Sequence, residues 1–499
     1  MTVRRRTANY QPTAWSHSFV QSIKTDTADA FQAKRIDALE EEIRAAMNDD
    51  KAEPFAILLL IDDVQRMGLG YRFEEDIERA LYRYVCRGEC IGSKDRTLFT
   101  TSLAFRLLRQ HGFEVSQDVF KSFTDESGKF LNNLEDDIKG ILGLYEASYM
   151  AFEGELILEE AKTFSTKHLR HFINLGNIKT GLDDQVKHSL ELPLHWRMQW
   201  QEGRWYIDTY SKRKNIIHGL LELAVLNFNT VQQILQEDLQ YTSRFNRWWN
   251  EISLANKLPF ARDRLMECFV WTVGMAYEPR FSNCRKGLTK VTSLITIIDD
   301  VYDVYGTLDE LELFTDAVER WDVKVVDNLP QYMKVCYLAL YNTVREMAYY
   351  ALKEHGQNII PYLTKPAELE MGETASSITC YMLEKGASEE VAREHINKFI
   401  VLAWNKMNKQ HQVCNSMFGK SFIQMAFNLA RISHCTCHDG DSHGAPDIRS
   451  KKRVHSLLIE PITITGKRNS NKGSHERKVQ VFSEDHRVKC FSEAGISHL

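Results

Sequence analysis

Three aspartates, Asp299, Asp300 and Asp303, close one of the most apolar stretches of this 499-residue chain. The run before them, Val291 to Ile298, has no glycine, proline or charge. Carboxylates gathered at the end of such a helix repel one another and lose hydration, which is costly unless cations share the site. On an α-helix, positions 299 and 303 lie one turn apart on one face, with 300 beside them. Hard oxygen donors so placed suit Mg²⁺, which keeps some waters and binds through one or two carboxylates plus substrate phosphates. The cluster therefore predicts a Mg²⁺–diphosphate site with Asp299 and Asp303 as ligands. Another acidic group shows what separates signal from background. Asp49-Asp50 with Glu53 also spells DDxxE, but in the polar segment Met47–Glu53, where the charges are simply solvated.

The elements that must position these residues read as helices. Ten prolines in the whole chain, against about 5% in average usage, leave room for long ones. Ile217, Leu220, Leu221, Leu223, Ala224 and Leu226 recur mostly at spacings of three and four, as do Phe99, Leu103 and Leu107. Strand-like alternation is nearly absent, so the fold class is all-α. An arm, residues 1–15, is basic at Arg4-Arg5-Arg6 and closed by Trp15. Helices then fill 16–205, and a Pro- and Trp-rich passage from Glu191 to Trp205 marks the join to a second helical domain, 206–464, which carries the aspartates. Residues 465–499 hold seven Lys/Arg, few aliphatics and no periodicity, and read as a disordered or aberrant tail. Hydrophobic content of 43%, 26% charged residues and a net charge of -5 describe an ordinary globular protein with no basic stripe for nucleic acid. No apolar run is long enough to span a bilayer. The ten scattered cysteines point to a reducing compartment.

Three ordered motifs coincide on this frame. Arg5-Arg6, eight residues and Trp15 spell RR(x)8W; Arg262-Asp263-Arg264 spells RxR; Asp299 to Asp303 spells DDxxD. With Leu107–Gln117, Leu190–Pro193 and Tyr305–Leu311, they make the chain resemble plant class I terpene synthases over about residues 4–464. The subgroup is that of angiosperm monoterpene synthases, which also contains isoprene, ocimene and farnesene synthases. The resemblance implies a catalytically silent N-terminal α-barrel and a C-terminal class I bundle. Mg²⁺, with Mn²⁺ as a substitute, would bridge Asp299 and Asp303 to a prenyl diphosphate, and departure of the diphosphate would leave an allylic carbocation that is quenched to a terpene. Asp299, Asp300 and Asp303 would be catalytic. Arg262 and Arg264 would grip the diphosphate, a task suited to the guanidinium fork. Trp271, Phe269, Tyr302 and Trp404 are candidates to face the cation, and the arm would close over the site. Geranyl diphosphate is the favoured substrate and farnesyl diphosphate the second. Isoprene-forming relatives tend to carry a bulky Phe where Thr292 leaves room for a longer chain. A monomer is expected, with a homodimer as the alternative, and no nucleic-acid or membrane partner. The expected location is the cytosol for the chain as written, or the plastid if a transit peptide is missing.

The family's second metal motif, (N/D)Dxx(S/T)xxxE, is not intact. Ile359–Lys365 resembles the family, and Pro366–Ile378 then resembles the end of that motif and the residues just past it. Glu368 aligns with its last metal ligand; the other two are missing. A block of about eighty residues, about 120 Å of helix, is absent between Lys365 and Pro366. The expectation is a chain of clear family identity that is poorly stable, with apolar helix faces uncovered, and with little or no activity. The rival reading is a non-catalytic splice-type variant or decoy. A chain-elongating prenyltransferase would need a second DDxxD in the C-terminal half, and none exists. His434-Cys435-Thr436-Cys437-His438 is too tightly spaced for a tetrahedral zinc site.

Overall fold

The computed structural model describes residues 5, 10, 12–23, 30–88, 97–176, 181–251, 258, 260–356, 358, 377–414, 419–437 and 448–463. Among these residues every regular element is helical, and the one β contact is an isolated bridge between Thr124 and Phe130. The protein is all-α, as the spacing predicted.

Local chemistry sets the helix limits. Leu98–Gln110 carries the Phe99, Leu103, Leu107 repeat and opens on a capping box in which the Thr97 and Thr100 side chains and backbones serve each other. Asp137 accepts from the Gly140 N–H and starts Ile138–Ser148. Pro54 occupies the first turn of Pro54–Arg66, where its missing N–H costs nothing. The 34-residue helix His218–Glu251 carries the Leu220, Leu223, Ala224 stripe and packs against Ala30–Met47. Each such leucine, fully buried, contributes about 1.5–3 kcal/mol.

The largest core spans both halves of the sequence. It joins Leu58, Ile61 and Leu107 to Trp200, Phe228, Phe269, Ile432 and Leu457. Part of the Pro- and Trp-rich passage lies inside it, with Trp200 stacked on Phe228 at 4.1 Å, whereas Trp196 stacks on Trp404 at 5.4 Å in a small separate cluster. A second core is confined to Leu98–Val186. A third, from Leu258 through Leu294, Val301 and Phe314 to Ala339, surrounds the aspartates. The chain to Ile462 forms one compact unit and 463–499 another, of which only Thr463 is described.

Large apolar side chains stand exposed on the helices either side of residues 359–376 in the sequence, Tyr349 (70% exposed) and Leu352 on Gln331–His355 and Leu383 (78%) on Ser377–Lys385. Ile295, Phe399 and Phe422 are exposed on other helices. The junction between Lys365 and Pro366, and Glu368 with it, lies outside the described residues.

Candidate active site

The aspartate helix, Ser282–Asp300, buries Leu294 and Ile297 in the third core and ends at Asp300. The next five residues, Val301–Tyr305, form a π turn closed by the Gly306 N–H donating to Val301 O at 2.7 Å. Gly306 is required there, because a Cβ would meet Val301 O at 2.9 Å and the Leu311 side chain at 2.7 Å. The DDxxD motif therefore straddles a change of helix type, with Asp299 on the α side and Asp303 in the π turn.

That change divides the three carboxylates. Asp299 and Asp303 are exposed, and neither has a hydrogen bond or ion pair to protein among the described residues. Burial around its carboxyl, reinforced by the Asp303 charge, raises Asp299 above the usual carboxylate range. Asp300 is fully buried and already engaged. Its Oδ2 accepts from the Arg262 backbone N–H at 2.7 Å, and its Oδ1 lies 2.8 Å from Arg262 Nε. The second contact has ion-pair distance without hydrogen-bond alignment, so both of those atoms lack an aligned partner. The Asp300 pKa is raised, with burial the largest cause and Arg262 opposing it.

The arginines of the RxR motif sit just before the helix Leu265–Met275. Arg262 is tied to Asp300, and its guanidinium lies over the Tyr10 ring at 4.8 Å. Arg264 is buried at the helix start and donates to Asp263 O at 2.9 Å. Among the aromatic candidates, Phe269 is fully buried in the large core and so lines no cavity. Tyr302 donates or accepts at Thr315 Oγ1, 3.0 Å away, and meets Phe314 edge-on. Trp404 is buried against Ile423 and Phe427 and donates to His434 Nε2 at 2.9 Å. Trp271 is partly buried against the large core. Cys435 is buried and its sulfur accepts from the Met198 N–H, while His434 Nε2 accepts from Trp404.

Sequence reasoning missed what holds the arm. Arg5 Nη1 and Nη2 donate to Glu310 Oε2 and Oε1 at 2.9 and 2.8 Å, and Nη1 also reaches Tyr305 O at 3.2 Å. The guanidinium lies 4.5 Å from the Tyr305 ring and 5.0 Å from the Tyr332 ring. Phe260 backs this box by stacking on Tyr305 at 3.7 Å. Glu310 also accepts from Tyr332 Oη at 2.8 Å and from the Thr307 N–H at 3.2 Å. The Arg5 contact, with these donors, holds its pKa at about 2. The signal available in the sequence was the capping pattern Thr307-x-x-Glu310, which the structure uses to start Leu308–Arg320. Arg5 thus docks on the segment that directly follows DDxxD, and Tyr10 on the RxR motif.

Comparison with known proteins fits this arrangement. Residues 14–190 match the terpene synthase N-terminal domain, 250–368 the metal binding domain of the terpene synthase family, and 363–406 the C-terminal metal binding region of terpene synthase family 2. A probable terpene synthase 12 of Ricinus communis is 47% identical over 544 aligned residues, covering 93% of this chain and 92% of that protein. The isoprene synthase of Populus tremuloides is 45% identical, covering 92% and 90%. The crystal structure of grey poplar isoprene synthase in complex with three Mg²⁺ ions and dimethylallyl-S-thiolodiphosphate superposes with a TM-score of 0.80 at 44% identity, covering 90% of this chain and 99% of that one. The chain belongs to the terpene synthase family. It is of the terpene synthase enzyme class, carbon–oxygen lyases acting on phosphates, and Mg²⁺ is the metal bound in the grey poplar relative. No helix among the described residues is long and apolar enough to cross a membrane.

The Ricinus alignment is longer than the part of this chain that it covers. It spans 544 positions but draws on 93% of 499 residues, about 464, so about 80 positions have no counterpart in this chain.

The residues present fit part of a metal site. Asp299 and Asp303 offer two hard carboxylates that are in no ion pair among the described residues. No group of three or more His, Cys, Asp or Glu able to hold a metal occurs among the described residues. Among the described residues the protein would therefore offer two ligands here, with substrate phosphates able to supply others.

Proposed function

We propose that this site binds an allylic prenyl diphosphate, geranyl diphosphate before farnesyl diphosphate, and that the chain as it stands turns it over little or not at all. The observation that carries the binding proposal is the pair Asp299 and Asp303, exposed and without partners among the described residues, beside an arginine-bearing segment. Mg²⁺ held there would neutralise charge on the departing diphosphate. Asp300 serves by position: it fixes Arg262 through the backbone and side chain, so that the RxR segment faces the same end of the aspartate helix. Arg264 is the second guanidinium for the leaving group, and Trp271 is the aromatic we assign to the hydrocarbon. The arm, through Arg5 and Tyr10, excludes water from the carbocation. The N-terminal region, 16–205, acts as scaffold, and 206–464 holds the chemistry. Either the cytosol or the plastid is compatible with this chemistry.

Thr292 supports the longer substrate. Its side chain is short, and its hydroxyl turns back to Leu288 O and Thr289 O at 3.0 and 3.2 Å. The missing block supports the loss of turnover. Two of the second motif's three ligands have no counterpart in the chain, and Glu368 is the one that remains. The substrate assignment is tested by diphosphate release from dimethylallyl, geranyl and farnesyl diphosphates, using a version with the block restored. A preference for dimethylallyl diphosphate would overturn it. A second reading, a non-catalytic variant that associates with a full-length synthase, draws on the exposed Tyr349, Leu383 and Phe399. Co-purification of the two chains tests it.

A further inference from the structure

Away from the aspartates, a cavity of about 280 Å³ lies between helices Pro54–Arg66 and Leu98–Gln110 on one side and Lys420–Cys437 on the other. This is far more than the about 10–15 Å³ that one water needs. The lining carboxylates Asp62, Glu74, Glu78, Glu202 and Glu278 are each already within ion-pair distance of another arginine or lysine. Arg431, which also lines the cavity, has no carboxylate within ion-pair distance among the described residues.

Arg431 is 6% exposed. Its Nε donates to His195 O at 2.9 Å and its Nη1 to Asn428 Oδ1 at 2.8 Å, while its Nη2 has no protein acceptor among the described residues. Burial lowers its pKa to about 10, so it stays charged at neutral pH. The Phe427 ring lies 5.6 Å from the guanidinium, and the polar neighbours Asn408 and His195 carry no counter-charge. Asn408 donates its amide to Tyr149 O and Ala151 O, so its Oδ1 must accept from His195 Nε2, 2.8 Å away. His195 is then a neutral donor at that nitrogen, and burial with the Arg431 charge holds its pKa at about 3. A buried cation without a counter-charge is costly, and water in the cavity solvates it without neutralising it.

We propose that this cavity is a second, non-catalytic site for a small tetrahedral oxyanion of the phosphate type, held by Arg431 against the surface that joins the two halves of the chain. A planar fork with one nitrogen unengaged is suited to such a ligand. Binding would tie Lys420–Cys437 to the N-terminal helices and so stabilise the fold.

The test is the melting temperature of the full chain titrated with inorganic phosphate at constant ionic strength. A rise that grows with the logarithm of concentration, about 2–3 °C at ~100 times Kd for a chain of this size, is expected. Phosphate also stabilises proteins by exclusion from their surface, but that rise is shared and linear in concentration. Arg431→Met removes the charge, and Asn428→Asp supplies a carboxylate at the existing contact. Both variants should keep only the linear rise. Should Arg431→Met fail to fold, Asn428→Asp decides. A natural chain that shows only the linear rise overturns the proposal, as does an Asn428→Asp variant that keeps the logarithmic one.

Discussion

Breaking the contact between Arg5 and Glu310 should release the arm, and the structure sets the size of the effect. Two charge-assisted hydrogen bonds join side chains that are 25% and 19% exposed. Displacing the Glu310 pKa from 4.5 to about 2 corresponds to about 3 kcal/mol at ~1.36 kcal/mol per pH unit. Tyr332 and the Thr307 N–H share in that displacement, and ordering the arm opposes it, which leaves about 1–2 kcal/mol for Arg5 itself. A double-mutant cycle with Arg5→Met and Glu310→Gln, followed by urea unfolding at pH 7, should recover that coupling. The folded pKa is depressed, so the contribution is present above pH 4.5 and is lost as pH falls towards 2. Additive single changes, with a coupling below about 0.3 kcal/mol, would refute the reasoning and leave the arm held by other contacts.

The same geometry carries further expected outcomes. Asp300→Asn leaves the partly buried Arg262 without its carboxylate and should lower stability by about 3 kcal/mol, read by urea unfolding. A change under about 0.5 kcal/mol would mean that Asp300 does not position the RxR segment. His195 and His111 are buried neutral, with pKa values lowered to about 3 and 4 by burial. Below pH 6.5 the unfolded chain therefore binds more protons than the folded one, and stability falls as pH falls. Between pH 7 and 5 each histidine should cost about 2 kcal/mol, and a melting temperature that stays flat over that range would contradict their burial. Tyr349→Gln with Phe399→Gln removes two exposed apolar side chains and should reduce dye binding and self-association with little change in helix content. Unchanged association would place the sticky surface elsewhere.

Much of the scaffold is legible in the sequence, because helix formation here rests on local periodicity and caps. Phe99, Leu103 and Leu107 announce Leu98–Gln110, and the apolar run to Ile298 announces the aspartate helix. The π turn at Val301–Tyr305 is not legible. It depends on Gly306 meeting Leu311, on Phe260 stacking over Tyr305 and on Arg262 drawing Asp300 inward. These are tertiary terms that leave no mark on local spacing. For the same reason the motif looks like one set of three carboxylates, whereas the fold gives Asp300 to Arg262 and leaves Asp299 and Asp303 exposed. Arg5 and Glu310 are 305 residues apart, and pairing at that range cannot be inferred from a single sequence. Phe269 and Trp404 are aromatic candidates by type alone, and burial assigns both to cores.

The central claim is that the site is that of a terpene synthase whose missing block disables it. Its most direct test is gas chromatography–mass spectrometry of products from geranyl and farnesyl diphosphates with Mg²⁺. Two proteins run side by side: the 499-residue chain, and the same chain with about eighty residues from a relative restored between Lys365 and Pro366. Asp299→Ala in each serves as the blank. The account predicts terpenes from the restored chain alone, abolished by Asp299→Ala. Robust Mg²⁺-dependent terpene formation by the chain as it stands would contradict it, and would show that Asp299, Asp303 and Glu368 suffice.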